Sequence, residues 1–388
     1  MKKKISILGS TGSIGLSTLS IIDKKKNLFT ISLLSANKNY NLIIKQIKKY
    51  KPEYFVISNK LIFEKVKKKF KNNKIKIFNN FNFLNRKKNF DITISAIPGI
   101  SGLLPTIIMI KNSKKLLIAN KEAIICGWNL INKEAKKNKT KIIPVDSEHF
   151  SIKKLIENHN IKEIKKIYIT ASGGPFLNYN KNQLKKITPK QALKHPKWKM
   201  GKKITIDSST LMNKILELIE AQKLFNIPKN KIDILIHPNS LVHAILELNN
   251  GLTKFIYHQT SMIIPLANAI FDGDLHIKDF YSKTQKNSVE NLTFQKVNNK
   301  IFPIIKLKKR VNEHPSTAII INASNEILVD HFLRKKLPFL RIIKIIMIIL
   351  KDRNYKKYAI RNPININQIK KIDTWARILT LEKIKNYE

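Results

Sequence analysis

The chain has 388 residues, with 74 lysines and arginines against 26 aspartates and glutamates and a formal net charge of +48. That length exceeds what one ordinary core takes, so two or three domains are expected, and a 43% hydrophobic share excludes a chain too polar to fold. A single cysteine, Cys126, excludes an intramolecular disulfide, a cysteine-based metal site and a dithiol redox pair, which fits a reducing compartment.

The basic start MKKKISILGS has an apolar run that breaks at Gly9, too short for a secretory signal. The longest apolar stretch, FLRIIKIIMIIL at 339–350, is interrupted by Arg341 and Lys344 and is too short to span a membrane. A cytoplasmic protein without a membrane partner is expected. Lysines occur in almost every block of ten, interspersed with Ile and Asn, as AT-rich codons filling solvent-facing positions would produce. Nucleic-acid faces concentrate charge and interleave aromatics, so no specific nucleic-acid partner is expected. Such a field does attract acidic small molecules and phosphates at low salt.

In chain order, KISIL at 4–8 reads as a buried strand, GSTGSIG at 9–15 as a glycine-rich turn, and Leu16 to Lys25 as the helix that follows. FTISLLSA is the second strand. DITISAI at 91–97 and KLLIAN at 115–120 are two more, separated by a helix that starts near Leu103. This alternation predicts an α/β fold whose N-terminal domain is a doubly wound, Rossmann-type parallel sheet with its ligand edge at the strand C-termini. After Asp146 strands such as IKKIYITA and KIDILIHP mix with loops and a strong helix at 209–225, an α+β domain. A polar stretch near 272–298 reads as a linker, and the remainder to Glu388 as a small helical domain. The expected division is 1–146, 147–272, a linker at 273–298, and 299–388.

The spacing G-x-x-G-x-x-G between a strand and a helix is a variant of the dinucleotide fingerprint, in which Gly12 lets backbone N–H groups approach a pyrophosphate. At the end of the second strand SANKNY, residues 35–40, offers no acid for ribose hydroxyls, whereas Lys38 offers a cation to a 2′-phosphate, so NADP is favoured over NAD.

The stretch IIPVDSEHFS at 142–151 places two scarce acids two positions apart. On an extended backbone Asp146 and Glu148 point to one side, an unfavourable pairing unless a hard divalent cation lies between. A third oxygen ligand could come from DSSTLMNKILELIEAQKLF at 207–225, where Ser208, Ser209 or Thr210 can cap a helix. On that helix Asn213 and Glu217, at i and i+4, share a polar face with Lys214 beside them. Glu220 and Asp207 compete with Glu217 by spacing, Asp207 reading rather as a cap, and an ordinary exposed acid remains the plain alternative for Glu217. Lys121, in ANKEA, could offset excess negative charge. The turn ASGGPF at 171–176 can present a hydroxyl and N–H groups to an anion, helped by Ser208 and Lys214. Between them HPKWKMGKK at 195–203, with His195, Trp198 and Met200, reads either as a core-anchored loop or as a lid that excludes water.

Assembled, these blocks resemble the 1-deoxy-D-xylulose 5-phosphate reductoisomerase family, NADPH-dependent enzymes of the non-mevalonate isoprenoid route. GSTGSIG, LIANKEA, PVDSEH, SGGPF, HPKWKMGKKITIDSSTLMNKILELIEA and LIHPNSLVHAI follow one another in the family's order over roughly residues 5–265. The resemblance implies that Thr11, Gly12, Ser13 and Ile14 hold the NADPH pyrophosphate side, that Asn37, Lys38 and Asn39 lie at its adenosine phosphate, and that Asn120, Glu122 and Gly201 contact the rest. It implies Asp146, Glu148 and Glu217 as ligands of a divalent metal (Mg2+, Mn2+ or Co2+). Lys121, Ser147, Glu148, Ser172, His195, Ser208, Asn213, Lys214 and Glu217 match the substrate site, and Trp198 with Met200 the flap. The implied substrate is a phosphorylated ketose, rearranged and then reduced, and the implied assembly a homodimer. Asn37 stands where the family often has glycine, Phe150 where a smaller polar residue is common, and QTSMIIPL around Met262 replaces a Pro-Asp-Met-Arg run. In the last third only NASNE, at 322–326, is distinctive. Two other readings use fewer of these residues: a basic nucleic-acid binder without catalysis, and another NADP-dependent oxidoreductase on phosphorylated sugars that leaves the acids idle.

Overall fold

A computed structural model of the chain describes residues 1–84, 89–198, 200–281 and 292–385. The first part runs β1 (Lys3–Leu8), α1 (Ser13–Lys24), β2 (Phe29–Ala36), α2 (Tyr40–Tyr50), β3 (Tyr54–Ile57), α3 (Lys60–Lys69) and β4 (Lys76–Phe78). It continues β5 (Phe90–Ser95), α4 (Leu103–Asn112), β6 (Ser113–Ile118), α5 (Lys121–Asn138), β7 (Lys141–Pro144) and α6 (Ser147–Ile156). Then come β8 (Ile164–Ala171), α7 (Lys181–Lys185), α8 (Pro189–Ala192), α9 (Lys202–Thr210), α10 (Met212–Phe225), β9 (Ile232–Ile236), β10 (Val242–Leu248) and β11 (Thr253–Tyr257). The chain ends with α11 (Ile263–Phe271), β12 (Gln295–Lys296), α12 (Thr317–Leu333), α13 (Arg341–Ile349), α14 (Tyr355–Ala359) and α15 (Ile366–Lys385).

The chain forms two compact units: one of residues 1–123, 128–150 and 261–284, the other of 124–127, 151–260 and 285–388. In the first unit seven strands lie in the order β4-β3-β2-β1-β5-β6-β7, all parallel. Order reverses between β2-β1 and β5-β6, the switch point at which such sheets bind ligands beyond their strand ends. The central strands are apolar on both faces because helices cover both, and Ile5, Ile7, Leu34, Phe55, Ile94 and Leu117 form the core with α11 residues Leu266 and Ile270. Lys115 fixes α11 to this sheet: its buried ammonium donates to the carbonyls of Ala269 and Ile270 at 3.0 and 3.2 Å and meets Asp272 at 2.8 Å. In QTSMIIPL the Ser261 hydroxyl accepts the Ile263 N–H at 3.3 Å at the start of α11, and Met262 packs against the same core.

Helix α1 begins at Ser13, inside the glycine stretch, rather than at Leu16. Gly12 is extended (φ −83, ψ 172) and its carbonyl accepts the Leu16 N–H at 2.9 Å, which closes the first turn earlier than the apolar pattern suggests.

The second unit carries a mixed sheet, β11-β10-β8-β9-β12, in which β8 and β9 are parallel and the other pairs antiparallel. Part of the expected linker therefore pairs as β12 with β9, while residues 282–291 of it lie outside the described residues. The single helix expected at 209–225 is two helices, because Leu211 adopts a left-handed conformation (φ 69) and ends α9. Ser208, Ser209 and Thr210 thus lie in the last turn of α9 instead of capping α10, although the Thr210 hydroxyl accepts the Met212 N–H at 3.2 Å.

The C-terminal helices pack as an apolar layer. Helix α13 buries Ile342, Ile345, Ile346 and Ile349. Arg341 and Lys344 are the polar edge of this short amphipathic helix. NASNE falls on α12: Glu326 accepts from Arg377 of α15, whose Nε also donates to Asp373 at 2.7 Å. Among the described residues no helix is long and apolar enough to cross a membrane.

Candidate active site

At the strand ends of the first unit the three glycines of GSTGSIG do different work. A Cβ on Gly15 would lie 2.4 Å from the Gly9 carbonyl oxygen and 2.6 Å from the Ser10 Cα, so only glycine lets α1 approach the loop that closely. Gly9 needs its positive φ of 80° and passes the Ala96 carbonyl, where a Cβ would come within 2.7 Å. Gly12 is exposed and caps α1, and no side chain supplies a cap bond there, so the helix N-terminus faces outward with its partial positive charge. Thr11 and Ile14 are half-buried around it, and Ser13 is exposed.

Two residues that the sequence reading missed hold this loop. The buried Ser10 hydroxyl donates to Gln46 Oε1 at 2.6 Å, and Gln46 Nε2 donates back to the Ser10 carbonyl at 2.9 Å. Their signal was a glutamine on the apolar face of α2, between Ile43 and Ile47. Asn37, Lys38 and Asn39 are exposed beyond β2, and the Asn39 side chain also caps α2 by accepting the Leu42 N–H at 3.2 Å. Asn120 caps α5 through the Ala123 N–H at 2.9 Å and donates to the carbonyls of Ile97 at 2.5 Å and Gly99 at 3.1 Å. Gly102 has no room for a Cβ, which would meet Asn120 Nδ2 at 2.1 Å. Glu122 accepts the Gly99 N–H at 3.4 Å, so the cap of α5 and its first turn are both tied to the loop after β5.

After β7 the two acids do not lie along one strand, since Glu148 is already in the first turn of α6. Asp146 starts α6, accepting the Glu148 N–H on its side chain at 3.2 Å and the Phe150 N–H on its carbonyl at 2.8 Å, and Glu148 lies in the first turn. Carboxylates at a helix N-terminus are stabilised by its dipole, which lowers the cost of placing two acids together. The Ser147 hydroxyl donates to Glu148 Oε2 at 2.6 Å, the fully buried His149 lies 3.1 Å from Asp146 Oδ1 through Nδ1, and Lys121 Nζ is 3.5 Å from Asp146 Oδ2. Withdrawal from solvent works to raise the Asp146 pKa and Glu148 repels it, but the Lys121 charge and the His149 bond outweigh both and hold it below the ordinary carboxylate value. Lys121 thus sets its positive charge beside Asp146.

In the second unit β8 ends at Ala171 and delivers Ser172 to a turn in which Gly173 and Gly174 both have positive φ, 81° and 62°. The Gly174 N–H donates to the Ser172 hydroxyl at 3.0 Å. A Cβ on Gly174 would lie 3.1 Å from the Ser208 carbonyl oxygen, so this turn packs directly on α9. His195 joins the two: its Nε2 is 3.1 Å from Ser172 Oγ and 3.1 Å from Ser208 Oγ. Its Nδ1 accepts the N–H groups of Lys197 at 3.1 Å and Trp198 at 2.9 Å. With Nδ1 an acceptor, the neutral ring carries its proton on Nε2. Burial, and then the positive charge of Lys214, press the His195 pKa down to about 4, so the ring is neutral at neutral pH. Trp198 and Met200 are half-buried, with the Trp198 ring edge-on to His243 at 6.1 Å. Lys199 lies outside the described residues. Gly201 caps α9 with open space where a side chain would stand.

On α10, Asn213 donates to Glu217 Oε1, and Lys214 Nζ lies 2.7 Å from Glu217 Oε2. Glu217 is 1% exposed, which excludes the ordinary exposed helix acid. Asp207 is neither a cap nor part of this group: buried inside α9, it meets Lys203 at 3.0 Å and accepts from Asn325 at 2.7 Å. Glu220 is buried on α10 as well. The second unit therefore clusters two hydroxyls and an imidazole N–H, donors suited to an oxyanion, while the first presents a glycine loop and paired carboxylates.

The chain matches the profile described as 1-deoxy-D-xylulose 5-phosphate reductoisomerase over residues 5–127. Profiles for C-terminal domains of the same enzyme match residues 142–225 and 258–379. A protein named 1-deoxy-D-xylulose 5-phosphate reductoisomerase from Pelagibacter ubique is 45% identical over 384 residues, 97% of this chain and 98% of that one. One of the same name from Wolbachia pipientis of Culex pipiens is 38% identical, over 99% and 98%. Among solved structures, a DOX-P reductoisomerase crystallised with NADPH, fosmidomycin and magnesium superposes with a TM-score of 0.91 at 30% identity, covering 99% of this chain and 98% of its own. The Zymomonas mobilis 1-deoxy-D-xylulose 5-phosphate reductoisomerase with NADPH gives a TM-score of 0.87 at 30% identity, over 99% of both chains. Similarity of that extent, across both units, shows that the chain belongs to the 1-deoxy-D-xylulose 5-phosphate reductoisomerase family.

Proposed function

We propose that this protein is an NADPH- and divalent-metal-dependent oxidoreductase that rearranges and reduces 1-deoxy-D-xylulose 5-phosphate to 2-C-methyl-D-erythritol 4-phosphate, in isoprenoid precursor biosynthesis. The observation that carries the reading is Glu217, an acid 1% exposed and bonded to Lys214 and Asn213, in a chain similar to solved proteins that hold magnesium and NADPH. We assign Asp146, Glu148 and Glu217 to one divalent ion, Mg2+, Mn2+ or Co2+. An all-carboxylate donor set suits such a hard cation. For NADPH, Thr11, Gly12, Ser13 and Ile14 take the pyrophosphate at the N-terminus of α1, which no side chain caps, Asn37, Lys38 and Asn39 the adenosine phosphate, and Asn120, Glu122 and Gly201 further parts.

When bound, the ion supplies Lewis-acid polarisation of the ketose oxygens and NADPH supplies hydride. The chain's residues bind and orient. Ser172 and Ser208 donate their hydroxyl protons to phosphate oxygens, with the His195 N–H and the Lys214 ammonium beside them, and Asn213 and Ser147 hold substrate hydroxyls. Lys121 balances the carboxylate charge, and Trp198 with Met200 closes over the substrate and excludes water. We assign NADPH binding to the first unit, which takes in the α11 segment as well as most of residues 1–146, the catalytic and dimerisation role to 151–260 of the second unit, and the helical domain to 299–388. We read the enzyme as a cytoplasmic homodimer. The test is NADPH consumption with 1-deoxy-D-xylulose 5-phosphate. Turnover that a chelator abolishes and Mg2+ or Mn2+ restores supports the reading. Turnover indifferent to the ion would favour a different NADP-dependent reduction of sugar phosphates.

A further inference from the structure

The NASNE stretch of α12 has no part in the proposed chemistry, yet Asn322, Asn325 and Glu326 all make specific bonds. Glu326 accepts from Arg377 of α15, which also binds Asp373, and Asn322 donates to Glu326 Oε1 at 3.2 Å, so α12 is pinned within its layer. Asn325 reaches α9 instead. Fully buried, it donates one N–H from Nδ2 to Asp207 Oδ1 at 2.7 Å, the one polar contact of its side chain among the described residues.

Asp207 stands near the C-terminal end of α9, where a carboxylate works against the helix dipole, and at 1% exposure its charge is costly unless paired. Lys203, one turn back and 3.0 Å from Oδ2, balances the charge, and Asn325 satisfies the other oxygen. The neighbouring hydroxyls turn back on their own backbone. Thr205 donates to the Gly201 carbonyl at 3.0 Å, and Ser209 and Thr210 donate to that of Ile206 at 2.7 and 3.2 Å. Asp207 is therefore the side chain that ties this short helix to α12. Successive helical residues lie about 100° apart, so fixing Asp207 fixes the rotation at which Ser208 presents its hydroxyl, 3.1 Å from His195 Nε2. Resting on the reading that Ser208 donates to the substrate phosphate, we propose that Asn325 is a positioning residue which, through Asp207, sets the Ser208 hydroxyl for that phosphate. A rotation of α9 that breaks the Asn325 bond carries Ser208 with it, and a shift of about 1 Å takes an O–H···O contact out of hydrogen-bonding range.

The test breaks this bond without leaving a buried charge. In the double variant Asp207→Leu, Asn325→Leu both partners become apolar residues of similar shape, a change close to neutral for stability, and the partly exposed Lys203 reaches water. Its Ki for inorganic phosphate, read as inhibition competitive with the phosphorylated ketose, rises roughly tenfold, whereas KM for NADPH stays within about twofold. Asp207→Asn keeps an oxygen for the Asn325 N–H and stays within about threefold of the wild-type Ki. Arg377→Met, which frees Glu326 on the same helix, lowers the melting temperature without moving the phosphate Ki. Ser208→Ala raises that Ki, and adding the double variant to it raises it no further, because the hydroxyl to be positioned is gone. A double variant with the wild-type phosphate Ki overturns the proposal. So does an Arg377→Met enzyme as weak for phosphate as the double variant, since the effect would then be a general loosening of the helical layer. If the double variant does not fold, Asp207→Asn with Asn325→Ala breaks the same bond between neutral groups and is read in the same way. If Ser208→Ala itself leaves the phosphate Ki unchanged, the phosphate reading falls, a failure distinct from a silent double variant beside a responsive Ser208→Ala.

Discussion

Gly174→Ala tests the packing of the anion-binding turn on α9. Gly174 has a φ of 62°, and an added methyl would lie 3.1 Å from the Ser208 carbonyl oxygen and 3.2 Å from the Ser209 Cα, both backbone atoms of a helix that cannot yield as a side-chain tip can. Left-handed backbone costs an alanine about 1–2 kcal/mol, and forcing an extra methyl into a packed contact costs a further ~1–3 kcal/mol. Gly251 is the internal control, since it shares a positive φ (88°) but has nothing within 4 Å of its Cβ position. Gly251→Ala is expected to cost about 1–2 kcal/mol and Gly174→Ala about 2–5 kcal/mol, each kcal/mol lowering Tm by roughly 2–4 °C. Thermal unfolding measured side by side gives the difference, and KM for the phosphorylated ketose gives its local consequence, because shifting the Ser208 backbone moves its hydroxyl away from His195. If Gly174→Ala is no less stable than Gly251→Ala and keeps the wild-type KM, the close approach is not what holds this site.

Two further outcomes follow from buried groups. Between pH 6.5 and about 4 the unfolded chain takes up a proton on His195 that the folded chain refuses, so this residue's contribution to stability is present above pH 6.5 and lost as the pH falls towards 4. Urea denaturation across that range should be flatter in His195→Gln by this residue's share, and an unchanged slope would contradict a neutral buried ring. Ser10→Ala strands the Gln46 amide oxygen, in a side chain 4% exposed, and is expected to cost about 1–3 kcal/mol, while the double variant Ser10→Ala, Gln46→Leu recovers most of it. Denaturation midpoints check this, and a double variant worse than the single one would show that the pair does not act as a unit.

What the sequence made legible was local. A strand running into Gly9 and on to α1, a turn with Gly173 and Gly174, and the switch from the nucleotide sheet to mixed strands all follow from spacing and turn chemistry within a few residues. The break at Leu211 was not legible, because leucine has no preference for left-handed backbone and takes it only where tertiary packing imposes it. Nor was Asp207, which read as a cap while its partner, Asn325, lies 118 positions on. Ser10 with Gln46 and Glu326 with Arg377 were invisible for the same reason, since polar pairs that close over long separations leave no period to read. The extended-backbone argument for Asp146 and Glu148 failed in form, because Asp146 begins a helix, and a capping acid and a strand-end acid look alike in sequence.

The account depends most on Glu217 being a metal-binding acid and not only the partner of Lys214. Titration of Mn2+ into wild type and Glu217→Gln, alongside NADPH binding and turnover of 1-deoxy-D-xylulose 5-phosphate, decides this directly. The expected result is Mn2+ affinity lower by roughly 10–100-fold or more and turnover lost, with NADPH affinity close to wild type. Wild-type Mn2+ affinity and turnover in Glu217→Gln would contradict it.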